Sequence, residues 1–303
     1  MHMRVWQRAM SGFMLRSIGL PADTLRGDFD RIYVEQLLRW VRGSSLGAAV
    51  ILAQDEVYDS QGRVLGNGGS HFVPNDYVFE LSRQHPEFLP AISVHPARPG
   101  ALEELDRCLA AGAVLMKCLP NCQNIDCADR RFTQFWERMA EAKLPLLAHT
   151  GGEHTLPVVR SELADPRTLT RPLEIGVPVI AAHCAGKSGF TDPEYFPALV
   201  ELMRKFPNCY ADTSALNVPL RSRLLRCCLE PEVARRLIHG SDYPVPISGV
   251  YAWLRGLINW RAFRRCAGEP NPLERDCLLK RSLGMDPAVF TRGWGVLRLP
   301  TRA

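Results

Sequence analysis

From about residue 48 onward the chain repeats one pattern. A run of three to six apolar residues is followed by a turn, and then by a segment with apolar residues at every third or fourth position. The runs cover 48–53, 89–94, 113–116, 145–148, 178–182, 209–211 and 237–241. Runs this short, apolar on both alternating faces, predict strands of a parallel sheet covered by helices. The intervening segments read as amphipathic helices, for example 132–143 (Phe132, Phe135, Trp136, Met139) and 197–206. Before the first run, 3–18 and 29–41 also carry helical spacing, the second through Ile32, Leu37, Leu38 and Val41. Strand and helix in alternation predict an α/β fold.

The runs end in residues that carry chemistry: Asp55, His95, Lys117, His149, His183, Asp212 and Asp242. From Lys117 onward these are separated by 32, 34, 29 and 30 residues, one strand–helix unit per step. A near-constant step predicts a TIM (β/α)8-type barrel, although a doubly wound sheet would give similar numbers. Seven strands are visible and a closed barrel has eight. No parallel-strand pattern precedes residue 48, so the expectation is that strand one lies upstream of Met1. The whole chain, 1–303, reads as one domain: a helical N-terminal segment (1–45), a barrel core (46–250), and C-terminal helices and tail (251–303). Gly66-Asn67-Gly68-Gly69-Ser70 marks a loop inserted between the first two visible strands.

Composition narrows the function. At 46% hydrophobic and 23% charged, with no apolar run near the ~20 residues of a membrane span, the chain is expected to have no membrane partner. Of the 37 basic residues only five are lysines (117, 143, 187, 205 and 280), so 32 are arginines, and they are scattered rather than gathered in one stripe. That dispersal, with a net charge of only +5, predicts no nucleic-acid partner. The N-terminus lacks the apolar stretch of a signal peptide, so a cytoplasmic location is expected. The ten cysteines are then expected to be free and mostly buried. Cys118, Cys122 and Cys127 do not have the spacing of a structural zinc site.

In a barrel of this kind the reacting groups sit at the carboxyl ends of the strands. Imidazoles and carboxylates gathered there are the ligand set of a catalytic divalent ion. His149, followed by paired glycines (Gly151, Gly152), and His183 are the first candidates, with Asp242 as the proton-transferring carboxylate. Lys117 has no reason to end a buried strand unless it is paired, modified or facing a substrate anion. His239 is expected to be a packed core residue, His95 a strand end without a ligand, and His2, His71, His85 and His154 surface or loop residues. Arg160, Arg167 and Arg171 are candidates to meet a carboxylate, with solvated loop charge as the plainer expectation. Trp253, Trp260 and Trp294 read as core or interface aromatics.

Four stretches carry a resemblance: Val114-Leu115-Met116-Lys117-Cys118-Leu119-Pro120, Leu144-Pro145-Leu146-Leu147-Ala148-His149-Thr150-Gly151, Val179-Ile180-Ala181-Ala182-His183-Cys184-Ala185 and Gly240-Ser241-Asp242-Tyr243-Pro244. In this order they resemble the amidohydrolase-related (amidohydrolase 2) family of metal-dependent TIM-barrel enzymes. The resemblance implies a hydrolase in which metal-activated water attacks a C–N or C–O bond of a small substrate, cyclic or carboxylated. A decarboxylase of the same family is the alternative. It implies a divalent metal, zinc or manganese, with His149, His183, Asp242 and Lys117 as ligands. Asp242 and His183 would be catalytic, and Lys117 and Glu153 would bind substrate. Where lysine at the Lys117 position bridges two metals, it is carboxylated. The family's first strand ends in His-x-His, and the chain has no such motif. A non-catalytic barrel serving as a binding or assembly subunit is therefore a third expectation. The expected partner is a small molecule, and a homo-oligomer is left open.

Overall fold

The computed structural model describes residues 15, 19–20, 28–65 and 72–299. Seven parallel strands run in sequence order: β1 (Ala49–Leu52), β2 (Phe88–Ile92), β3 (Leu115–Cys118), β4 (Leu146–Ala148), β5 (Val179–Ala181), β6 (Cys209–Asp212) and β7 (Leu237–Ile238). They curl into a half-barrel with helices between them. All seven predicted strands are present. Apart from Leu15, the predicted helix 3–18 falls outside the described residues, as do His2 and His71. The longer helices are α1 (Phe29–Arg42), α2 (Asn75–Gln84), α3 (Ala101–Ala110), α4 (Thr133–Glu141), α5 (Thr170–Ile175), α6 (Phe196–Lys205), α7 (Trp260–Gly268) and α8 (Pro272–Ser282).

Side chains alternate across each strand, so the apolar runs serve two layers. Met116, Cys118, Leu146, Ala148, Val179, Ala181, Cys209 and Ala211 pack outward with helix residues such as Trp136, Met139 and Leu199. Ala91, Leu115, Ile180 and Ile238, with Val50, Leu147 and Tyr210, form a second cluster inside the curl. Val296, Leu297 and Leu299 join this inner cluster, and Arg298 donates its backbone N–H to the Val114 carbonyl at 3.0 Å. The C-terminal segment thus closes the floor of the half-barrel. Each buried Leu or Ile side chain contributes about 1.5–3 kcal/mol. Alternation also places Lys117, two residues after Leu115 and in register with Leu147, on the inner face at the opposite end from that floor.

All ten cysteines are free and nine are buried, Cys227 being the partly exposed one. Burial pushes the Cys108, Cys122 and Cys209 thiols up to about 12, which makes them unreactive hydrophobes.

Helix α8 fixes the loop after β7. Asn271 caps it, accepting from the Leu273 and Glu274 N–H groups. Asp276 and Lys280, one turn apart, are both buried and pair at 2.5 Å, and Lys280 Nζ also donates to the Gly240 carbonyl at 2.7 Å. Gly240 lies two residues before Asp242. His239, as expected, is packed in the core, with Nε2 3.8 Å from Asp276 Oδ2. Removing one partner of a buried ion pair strands the other charge. Lys280→Ala is expected to cost about 3–5 kcal/mol in urea denaturation, and Lys280→Met with Asp276→Leu clearly less. A single variant as stable as the double would show that the pair does not hold this loop.

Candidate active site

Strands β3 to β7 bring their carboxyl ends to one mouth. The rings of His149, just past β4, and His183, just past β5, lie edge to face with centroids 5.0 Å apart. Both are buried. The His149 Nε2 is buried, has no hydrogen-bond partner among the described residues, and lies 3.7 Å from Glu153 Oε2. The other Glu153 oxygen accepts from the Thr155 and Leu156 N–H groups, which holds the carboxylate in place.

The paired glycines after His149 are required by close contact. Gly151 has φ +82°, and a Cβ there would sit 2.3 Å from the Gly186 carbonyl oxygen. A Cβ on Gly152 would overlap the Asp192 carboxylate. The loops after β4 and β5 touch through bare backbone, joined by Gly152 N–H to the Gly186 carbonyl at 3.2 Å.

Strand alternation alone would aim His183 outward, since Ile180 faces in. A run of three left-handed residues, His183 (φ +59°), Cys184 (+51°) and Ala185 (+52°), redirects the chain. Non-glycine residues adopt this region only when the surroundings impose it. Here the Asp212 carboxylate, at the end of β6, accepts the His183 N–H at 2.8 Å and the Ser214 N–H at 3.0 Å. It also accepts the Ser214 hydroxyl, whose oxygen lies 2.8 Å from His183 Nδ1. Asp242, itself at φ +60°, places Oδ2 4.0 Å from the same nitrogen. The mouth thus gathers His149, Glu153, His183 and Asp242.

Two cations share this mouth. Lys117 is buried, and among the described residues no carboxylate lies within 4.0 Å of its ammonium. It acts electrostatically on His149, His183 and Asp242. Arg221, also buried, donates to the Gly152 carbonyl at 2.7 Å, and its Nε has no partner among the described residues. Burial, with help from these cations, pushes His149 down to about 3 and His183 well below its usual value, so both rings are neutral at pH 7. Burial pushes the Asp242 carboxyl up, against the pull of Lys117.

The other strand ends are engaged elsewhere. Asp55 accepts from the His95 N–H at 2.8 Å and from Arg98 at 3.1 Å. His95 has both ring nitrogens satisfied, Nε2 on the Gln123 carbonyl and Nδ1 on the Ala97 N–H. Arg160 and Arg167 pair with Glu162 and Asp165, and Arg171 reaches Thr133, so none of the three is placed at the mouth. His154 is exposed and pairs with Asp192. Trp253 stacks on Phe263, and Trp260 packs against both at a tilt, so the two tryptophans are exposed in part rather than in the core. Arg221 and Ser214 were not singled out from the sequence. Ser214 had one signal, its position two residues beyond a strand-ending aspartate, and Arg221 had none among 32 arginines.

A family model described as amidohydrolase matches residues 2–275. The chain belongs to the amidohydrolase family. No curated protein sequence matches this amidohydrolase. Among solved structures it is similar to an uncharacterized TIM-barrel protein, Bb4693, from Bordetella bronchiseptica, with 16% identity, TM-score 0.55, and 91% of this chain covered with 90% of that one. A Pseudomonas putida protein assigned as a 2-pyrone-4,6-dicarboxylic acid hydrolase follows at 13% identity and TM-score 0.52, covering 84% and 81%. A 2,6-dihydroxybenzoate decarboxylase from Rhizobium has 16% identity, coverage of 80% and 87%, and TM-score 0.47. The first two likenesses establish the fold.

Amidohydrolases generally use a divalent metal. A catalytic zinc site takes three protein ligands. The described residues do not fit one: they hold no group of three His, Cys, Asp or Glu side chains close enough to share an ion. His149 Nε2 is the buried donor without a partner, while His183 Nδ1 is turned to Ser214.

The His95 network predicts a pH dependence of stability. Burial lowers His95 to about 4 from an ordinary 6.5. Between these values the unfolded chain binds a proton that the folded ring refuses. Stability is therefore complete above pH 6.5 and falls toward pH 4, by about 1.4 kcal/mol per pH unit for this one group. Urea denaturation of His95→Gln at about pH 7.5 and 5 is expected to show a loss smaller than wild type's by about 2 kcal/mol. An equal loss in both proteins would rule this out.

Proposed function

We propose that the chain is a hydrolase of small carboxylated substrates, cleaving a C–O or C–N bond with water. The observation that carries this reading is the Lys117 ammonium, buried at the mouth with no carboxylate in ion-pair range among the described residues. A desolvated cation of this kind calls for an anion from outside. Lys117 binds the substrate carboxylate and the Arg221 charge supports it. A carboxylated substrate is also what the name of the Pseudomonas putida protein specifies.

His183 and Asp242 handle the protons. His183, neutral at pH 7, takes one proton from water as its oxygen bonds to the carbonyl carbon. Asp242, beside His183, hands a proton to the departing oxygen or nitrogen as that bond breaks. Asp242 Oδ2, 4.0 Å from His183 Nδ1, steadies the charge on the ring, and both groups recover their starting protonation by exchange with solvent. Glu153 orients His149. No step is assigned to an ion. Metal analysis of the full chain checks this directly: one equivalent of zinc, lost in His149→Ala, would place further ligands outside the described residues and overturn the metal-free scheme.

The test of the activity uses esters, lactones and amides that bear a free carboxylate, each beside its neutral methyl ester. Wild type is expected to prefer the carboxylated member, and Lys117→Met to lose about 10–100-fold in kcat/KM on that member alone, the value of one charge-assisted hydrogen bond. Release of CO2 without water addition would assign the decarboxylase reading instead. No turnover by wild type, or an equal loss on the neutral esters, would sink the proposal.

A further inference from the structure

The surroundings of His183 determine which of its two nitrogens can act as a base, and the sequence reading assigned no role to the residues that do this. Around Nδ1 the structure places three oxygens: Ser214 Oγ at 2.8 Å, the Ser214 carbonyl at 3.2 Å and Asp242 Oδ2 at 4.0 Å. A serine hydroxyl has one proton to give. Two acceptors compete for that of Ser214, His183 Nδ1 and the Asp212 carboxylate. An ionised carboxylate is the stronger acceptor, because charge-assisted bonds are about twice as strong as neutral ones. Asp212 Oδ1 is already fixed by two backbone N–H groups, one of them that of His183 itself, so it has no freedom to turn away. The Ser214 proton therefore goes to Asp212. Its oxygen is left with lone pairs facing Nδ1, as is the Ser214 carbonyl. A bare lone pair on Nδ1 would face them all without a proton between, so the nitrogen must carry one.

We propose that Asp212 and Ser214 are positioning residues that lock neutral His183 as the Nδ1–H tautomer, making Nε2 its only proton-accepting atom. This rests on the reading of His183 as the group that takes the proton from water. The His149 ring lies edge to face with it, the centroids 5.0 Å apart. Which nitrogen of a metal-free imidazole reacts is decided by the hydrogen bond that the other makes.

The test needs no substrate. Long-range proton–nitrogen correlation spectra of the nitrogen-15-labelled full chain at neutral pH distinguish the two neutral tautomers and the imidazolium. The chain has eight histidines, and the His183 signals are those lost in His183→Asn. Wild type is expected to show His183 as Nδ1–H alone. Ser214→Ala is expected to convert it to a mixture with the Nε2–H form, Asp212→Asn to move it the same way, and Ser214→Thr, which retains the hydroxyl, to restore the single form. A wild-type ring found as Nε2–H or as imidazolium overturns the proposal, even if neither variant folds. So does an unchanged tautomer in folded Ser214→Ala. If the tautomer is as expected but the carboxylated esters are not turned over, the hydrolase reading fails and this one stands.

Discussion

The mouth depends on a single carboxylate. Asp212 ends β6, yet it binds three groups beyond that strand: the His183 amide past β5, and the Ser214 amide and hydroxyl two residues on. Three successive left-handed residues would relax without it, because L side chains disfavour that region by roughly 1–2 kcal/mol each. The acceptor thus sustains a backbone shape that turns His183 from the helix side of the sheet to the substrate side. Backbone strain and ring orientation have one cause.

The seven strands were legible because burial on both faces leaves uninterrupted apolar runs, and because each run ends in a polar residue at a regular interval. That regularity also located Lys117, His149, His183 and Asp242. The interval alone does not separate His149 from His95, since both follow a buried strand. What separates them is local. The chain after His95 turns back to satisfy both ring nitrogens, whereas His149 is left with an open one. Arg221 was illegible for the opposite reason. It lies in a loop whose path depends on contacts with Gly152, across 69 positions of sequence. Glycine pairing was readable as a sign of close approach, but the partner, Gly186, was not.

The site also shows how a small set of charges is kept in a water-poor setting. Lys117 and Arg221 face Glu153 and Asp242, while the imidazoles between them stay neutral because burial and the two cations act in the same direction. Fixed charges in such surroundings need no reorientation when a substrate's charge shifts during reaction, the condition for strong electrostatic stabilisation. Beneath them, the Asp276–Lys280 pair ties the loop of Asp242 to α8. The loop of Asp242 is thus held by the far end of the chain, while His183 is held by its middle.

The backbone contact between the loops after β4 and β5 has a further consequence. With Gly151 against the Gly186 backbone and the Asp192 carboxylate against Gly152, the two segments are in direct contact, and neither can swing without carrying the other. That part of the rim is a fixed wall. Traffic of small molecules in and out must pass along the remaining rim, so differences in what such a pocket admits would arise there rather than at the wall.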